Sequence, residues 1–213
     1  MFNYISIKEE IIHEIEIKKS RFICYLLPIK NEEDFIHYLN SIQKKHYKAN
    51  HHCFAYILES DKSIQRMSDD GEPSGTAGLP MLEVLRQEDL TFIAAIVVRY
   101  FGGTKLGAGG LIRAYSHSVS QTCQLACRIK NVDQAIFNLE INYAQLDRFN
   151  HNLRQMPGDP TILNMSYLET IQIELAIQAN YSDEFINDLI NFLNGQVQID
   201  YKGIRSVEID YLK

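Results

Sequence analysis

FIAAIVVRYFGGTKLGAGGLIR, Phe92–Arg113, is the stretch whose reading decides the fold. Its first part, Phe92–Val98, is an unbroken apolar run rich in β-branched residues. A run without alternation belongs to a central strand buried on both faces. FGG then marks a turn, and Gly109–Cys127 has the length of a helix of about five turns. Five glycines, Gly102, Gly103, Gly107, Gly109 and Gly110, lie between strand and helix.

Working outward toward the N-terminus, Ile11–Ile17 alternates weakly as a strand, and Arg21–Leu27 is a second strand ended by Pro28. Asn31 suits a helix N-cap, with Glu32, Glu33 and Asp34 in the first turn. Phe35, Leu39 and Ile42 form that helix's apolar face, and Lys44, Lys45 and His46 suit its end. His52–Leu58 is another strand. A glycine-rich loop comes next, and then a helix over Pro80–Gln87 with proline at its first position.

Toward the C-terminus the pattern changes. Ala135–Ile141 alternates as a strand and Tyr143–Gln155 is helical. Thr161–Tyr167 and Thr170–Gln178 are two strands with a tight connection. Ser182 caps a helix to Leu193, and Gln196–Tyr201 closes as a strand. The order βαββαβ is the ferredoxin-like pattern, which needs about 80 residues. The linker is therefore expected near Ile129–Gln134, dividing the chain into domains 1–130 and 131–213. The expected class is α+β.

The 213 residues are 46% hydrophobic and 23% charged, which is ordinary globular composition and argues against disorder. The longest apolar run falls far short of the roughly 20 residues that cross a bilayer. The start, MFNYISIKEE, lacks a basic segment followed by an apolar one, so a cytoplasmic protein without membrane contact is expected. Of the four cysteines, Cys24, Cys53, Cys123 and Cys127, none forms a C-x-x-C pair. Cys123 and Cys127 lie four apart on the long helix; a metal half-site is conceivable there, but small core residues are the better reading. No metal or other cofactor is expected.

Net charge is −6 but uneven. From Asn131 onward twelve acids face five bases, a net −7, while the first 130 residues are nearly balanced at +1. Within them, Leu90–Val132 holds no carboxylate yet retains Arg99, Lys105, Arg113, Arg128 and Lys130. At average acid frequency that window would hold about five. Burial explains missing acids but not retained bases, so an anion-attracting surface is a candidate.

Three constellations could carry chemistry. In RYFGGTKLGAGGLIR (Arg99–Arg113) the glycines let backbone N–H groups approach a ligand, a helix N-terminus comes after them, and Arg99, Lys105 and Arg113 add positive charge. Arg99, Gly102, Gly103, Lys105, Gly107, Gly109, Gly110 and Arg113 are thus the candidate anion- or nucleic-acid-binding set. Equally, the glycines could serve only tight turns and close packing. SDDGEPSGTAG (Ser68–Gly78) supplies Asp69, Asp70 and Glu72, with Ser74 or Thr76 able to cap the next helix. Three carboxylates in four residues must be solvated, paired or neutralised by a cation. They fit an exposed acidic turn, a clasp onto the bases of the first motif, or a cation site. His51 and His52 open a strand whose alternation points them to opposite faces, so they do not jointly ligate one metal. The two glycine-rich motifs are expected to face each other across one cleft, whose candidate residues are His51, Asp69, Asp70, Glu72, Ser74 and Thr76. No Ser-His-Asp arrangement or nucleophile elbow is present, so catalytic residues are not identified.

HHCFAY (His51–Tyr56), SDDGEPSGTAGLPML (Ser68–Leu82) and VVRYFGGTKLGAGGLIRAY (Val97–Tyr115) resemble the signature blocks of the YigZ/IMPACT family. The resemblance covers roughly Glu10–Arg128, and the acidic half resembles the small second domain of bacterial members. It implies an N-terminal left-handed βαβ domain like domain four of elongation factor G and a C-terminal ferredoxin-like domain like that factor's domain five. It also implies kinship with eukaryotic regulators of translation that associate with ribosomes. The expectation is a non-catalytic binding protein that meets ribosome, RNA or a translation-associated protein through its N-terminal domain. An enzyme holding a phosphorylated ligand on the glycine-rich loop beside an acidic metal site is one alternative. A protein-interaction module without nucleic acid is another. Phosphate contacts need Lys or Arg, so the acidic C-terminal domain is a poor RNA platform.

Overall fold

The computed structural model describes residues 4–211. The chain falls into two compact units, one containing residues 4–130 and 209–211 and the other Asn131–Glu208.

The first unit begins with β1 (Tyr4–Ile7), β2 (Ile11–Ile17) and β3 (Ser20–Pro28). β2 and β3 form a hairpin in which Ile17 pairs with Ser20. Lys18 and Lys19 at its tip have φ of 48° and 66°, the left-handed pair of a two-residue primed turn. α1 (Glu32–Lys45) is next; Asn31 Oδ1 accepts from Asp34 N at 2.8 Å, and acids and bases occupy the expected ends. Then come β4 (His51–Leu58), β5 (Ile64–Ser68), α2 (Gly78–Gln87), β6 (Ile93–Tyr100) and α3 (Ala108–Leu125).

The sheet order is β2-β3-β6-β4-β5, with every neighbouring pair antiparallel and β6 in the middle. β3 and β4 therefore run parallel with β6 between them, and α1 makes the crossover. Ile93–Arg99 is buried throughout because both faces of β6 are covered. On one face Phe22, Cys24, Ala55, Ala95 and Val97 meet α2 and α3 through Met81, Leu85, Ala114, Tyr115 and Val119. On the other, Ile23, Tyr25, Tyr56, Ala94 and Ile96 meet Phe35 and Ile42 of α1.

The second unit holds most of β7 (Arg128–Ile141), then α4 (Leu146–Leu153), β8 (Thr161–Tyr167), β9 (Ile171–Gln178), α5 (Ser182–Phe192) and β10 (Gln198–Tyr211). β7, β9 and β8 are neighbours in that order and β10 pairs with β7, as in a βαββαβ ferredoxin-like sheet; β1 also pairs with β7. Phe137, Leu139, Ile173, Leu175 and Ile177 pack against Phe149, Leu153, Phe185 and Leu189 of the two helices.

Several sequence expectations need correction. Ile129–Gln134 is not a linker: it is paired strand inside β7, whose fourteen residues run through the division between units. β1 and β5 carry no clear sequence signal, since Tyr4–Ile7 is short and IQRMS is a polar edge strand. α2 starts two residues before Pro80, which sits in the first turn where no intrahelical N–H partner is lost. Cys127 lies past the end of α3, exposed, while Cys123 is buried, so the two share no helical face. The helix expected over Tyr143–Gln155 is a 3-10 turn over Tyr143–Gln145, boxed by Asn142 and Gln145, followed by α4. Ser182 is the first residue of α5 rather than its cap, and its hydroxyl donates to the Ala179 carbonyl. β10 starts at Gln198 and is fourteen residues long.

Candidate functional site

The start of β3, the end of β6 and the start of β4 meet at one end of the first sheet. Phe22 and His51 are both register partners of Arg99. Two loops arrive at this end: Asp69–Ala77, which leads into α2, and Phe101–Gly107, which leads into α3.

Arg99 is central here, and it faces inward. Its side chain is 6% exposed; Nη1 donates to Glu72 Oε1 at 2.5 Å and Nη2 to Ser20 Oγ at 3.4 Å. The guanidinium lies 5.3 Å from the Phe22 ring centroid and 5.6 Å from that of Phe101. Tyr115 Oη of α3 also donates to Glu72 Oε1, at 2.9 Å. Cys53 Sγ of β4 lies 3.3 Å from Tyr115 Oη and donates to the Asp69 carbonyl. Glu72 thus ties the acidic loop to β6 and α3 in one buried knot. Breaking such a pair from one side costs about 3–5 kcal/mol because the other charge stays buried.

The three carboxylates of SDDGEPSGTAG have three separate roles. Asp69 accepts from the backbone N–H of Gly75 (2.8 Å), Ala77 (2.9 Å) and Gly78 (2.8 Å). Burial pushes this carboxyl up, but the three N–H groups outweigh burial and hold it below its ordinary value. Asp70 Oδ2 accepts from His52 N at 2.6 Å. Glu72 belongs to the buried knot. The cation-site alternative is therefore not assembled: the carboxylates point apart, and no group of three His, Cys, Asp or Glu side chains among the described residues could hold a metal ion. Neither Ser74 nor Thr76 caps α2. Thr76 Oγ1 donates to the Pro73 carbonyl, Ser74 is exposed, and Asp69 serves the helix start instead.

His51 Nδ1 donates to the Asp70 carbonyl at 2.8 Å, which leaves Nε2 facing Glu72 Oε1 at 3.9 Å. His52 sits on the opposite face of β4. Burial pushes the Cys53 thiol up to about 12, so it is protonated and a poor nucleophile. Burial pushes the Tyr115 hydroxyl up as well, with Cys53 and Glu72 adding to it.

The candidate anion set splits in two. Arg99 is buried, paired and closed to a ligand. Gly102 is a packing position: a Cβ there would lie 2.0 Å from the Lys19 backbone carbon. Gly107, at φ 72°, is the residue before α3 and needs the left-handed region. Gly103 also has positive φ, and Gly109 and Gly110 form the first turn of α3. Lys105 and Arg113 are exposed. Arg113 and Gly110 line a groove of about 650 Å³ together with Lys18, Leu106, Ile112 and His117.

Sequence reasoning assigns no role to Ser20, Tyr115 and Cys53 in the knot, or to Lys18 beside the groove. Tyr115 and Cys53 do stand inside the quoted motifs. His46 reads from sequence only as a helix-end residue, yet it lies between Tyr25 Oη (2.6 Å from Nε2) and Tyr100 Oη (2.9 Å from Nδ1). Burial, with Lys45 and Arg21 adding, pushes its imidazole down, so the neutral ring donates to one hydroxyl and accepts from the other.

Two family models match this chain: the Impact N-terminal domain over residues 18–123 and a domain of unknown function (DUF1949) over residues 139–196. The IMPACT family member YvyE of Bacillus subtilis is 37% identical over 213 residues, covering 100% of this chain and 95% of its own. The IMPACT family member YigZ of Escherichia coli is 36% identical, covering 86% of this chain and 90% of its own. A protein IMPACT homolog of Dictyostelium discoideum is 35% identical over 109 residues, covering 49% of this chain and 30% of its own. A crystal structure described as that of a hypothetical protein superposes with a TM-score of 0.61 at 34% identity, covering 93% of this chain and 97% of that one.

Proposed function

The chain belongs to the IMPACT family, and from that premise we propose that it is a binding protein of the translation apparatus, contacting ribosome or RNA through its N-terminal domain. The observation that carries this reading is the division of charge at the loop end of the sheet. The acids Asp69 and Glu72 are turned inward and satisfied, and the exposed Asp70 accepts from the His52 backbone. The bases Lys18, Lys105 and Arg113 are exposed, and no carboxylate lines the groove that Lys18 and Arg113 border. Such a surface attracts phosphate and repels nothing that carries it. The protonated Cys53 and the engaged carboxylates favour binding over turnover. The C-terminal unit, at net −7 over its sequence half, repels a phosphate backbone and is left out of the contact.

Co-sedimentation with ribosomes through a salt series tests this. Binding at about 50 mM salt should fall steeply toward about 200 mM, as phosphate contacts require. Lys105→Ala with Arg113→Ala should release the protein at lower salt. Arg99 is kept intact, since its loss would unfold the site. No sedimentation at low salt, or sedimentation indifferent to salt and substitution, would sink the reading.

A further inference from the structure

Phe101 comes directly after the last residue of β6 and is 46% exposed. One side of it is occupied: the buried Arg99 guanidinium lies 5.6 Å from the ring centroid. Its main chain is also held, since Phe101 N donates to Asn50 Oδ1 at 2.8 Å. The ring therefore has a fixed mounting, a cation beneath it and solvent above it. A ring braced in this way is a stacking platform that is ordered before anything binds.

Positive charge reaches this ring from two directions. On one side, the Lys19 backbone is packed against Gly102, which places the Lys18–Lys19 hairpin tip beside the loop. Lys18 continues from there into the groove with Arg113. On the other side, the Asn50 contact brings up the end of α1, where Tyr47 is 73% exposed with the Lys48 ammonium 5.5 Å from its ring centroid. Lys18–Lys19, Phe101, Asn50 and Tyr47–Lys48 are thus linked contact by contact, a line of segments that carries two exposed rings and three lysines. Two acids of the neighbouring strands and loop are engaged: Glu14 holds Arg21 at 2.7 Å and Asp70 holds the His52 backbone.

We propose that this line takes single-stranded nucleic acid, with a base stacked on the open face of Phe101 and phosphates held by Lys18, Lys105 and Arg113. Aromatic faces mixed with bases recognise unpaired strands, because a base can stack only when it is free of a duplex. An acidic peptide would meet the lysines but has no flat group for Phe101. The inference rests on the RNA contact proposed above and narrows it to unpaired strand.

The test is fluorescence anisotropy on the full chain with labelled oligouridine RNA, a duplex RNA of equal length and polyglutamate. Oligouridine should bind at least about tenfold tighter than duplex, and Phe101→Ala should weaken it by about tenfold or more. Phe101→Leu keeps the cover over Arg99 and should weaken binding equally, while Phe101→Trp should retain it. Neither Leu nor Trp should alter the salt slope, whereas Lys105→Ala should reduce it by about one. Equal binding of duplex and oligouridine, or full binding by Phe101→Leu, would overturn the stacking platform while leaving the ribosome reading intact. Tighter binding of polyglutamate than of oligouridine would also overturn it. Absence of both ribosome sedimentation and oligouridine binding in the unsubstituted chain would remove both.

Discussion

The two sheets of this protein solve the same burial problem in opposite ways. In the first, helices cover both faces, so β6 reads IAAIVV without a polar residue until Arg99. In the second, both helices lie on one face, and β9 reads IQIELAIQ with exposed Gln172 and Glu174 between buried isoleucine and leucine. A strand with two covered faces tolerates polarity only where it is paired, as Arg99 is with Glu72. A strand with one covered face carries polarity at every second position without cost. The first arrangement can position a buried charged knot; the second spreads its charge over solvent.

Substitutions can break or sharpen this contrast. Val97→Asp would place an unpaired charge in the two-sided core and should cost more than about 4 kcal/mol in urea unfolding, enough to abolish folding of the N-terminal unit. Arg99→Leu leaves Glu72 buried without its partner and should cost about 3–5 kcal/mol. Adding Glu72→Leu should recover much of that loss, and a double variant no more stable than the single one would show that the pair is not the source. Gly102→Ala must push the Lys19 main chain away, and overpacking of that kind costs about 1–3 kcal/mol, read as a lowered melting temperature.

Asp69 gives a pH signature. Its folded-state value lies below its unfolded one, so the stability it contributes is present at neutral pH and lost as pH falls through the acid range below about 4. Asp69→Asn should flatten the acid limb of the melting-temperature profile, and an unchanged limb would show that the three N–H groups do not bind the charged form preferentially. The smallest effect is expected from Glu174→Val, on the open face of β9, which should stay within about 0.5 kcal/mol by urea unfolding. A loss comparable to Arg99→Leu would mean that this face is not free.

The central strand is legible as an unbroken apolar run, the long helix from its length after the FGG turn, and the βαββαβ order from the alternation of its strands. Such patterns fail where partners are distant or polar. β5 is an edge strand of IQRMS with no apolar repeat to find. The stretch from Ile129 to Gln134 reads as a linker only because the βαββαβ pattern needs about 80 residues and those remain after it, yet it is strand. At the site, composition points to two glycine-rich loops of opposite charge but leaves open whether they clasp or bind. Arg99 groups with Lys105 and Arg113 in sequence, since a base in a carboxylate-free window looks free. Its partner Glu72 lies 27 positions away, outside that window, and only the pairing of β3, β6 and β4 brings the loop carrying it within reach. Phe101 carries no sequence signal at all, because an exposed ring differs from a buried one only in its surroundings.

The start of α2 has no neighbouring side chain to serve it; Asp69, eight and nine residues upstream, does so through Ala77 and Gly78. The segment between them therefore acts as a ruler. Lengthening or shortening it by a single residue would withdraw the carboxylate from the helix start and, through Glu72, shift the arginine knot as well. Unlike most surface loops, this one should accept almost any change of solvent-facing side chain at Ser74 and almost no change of length.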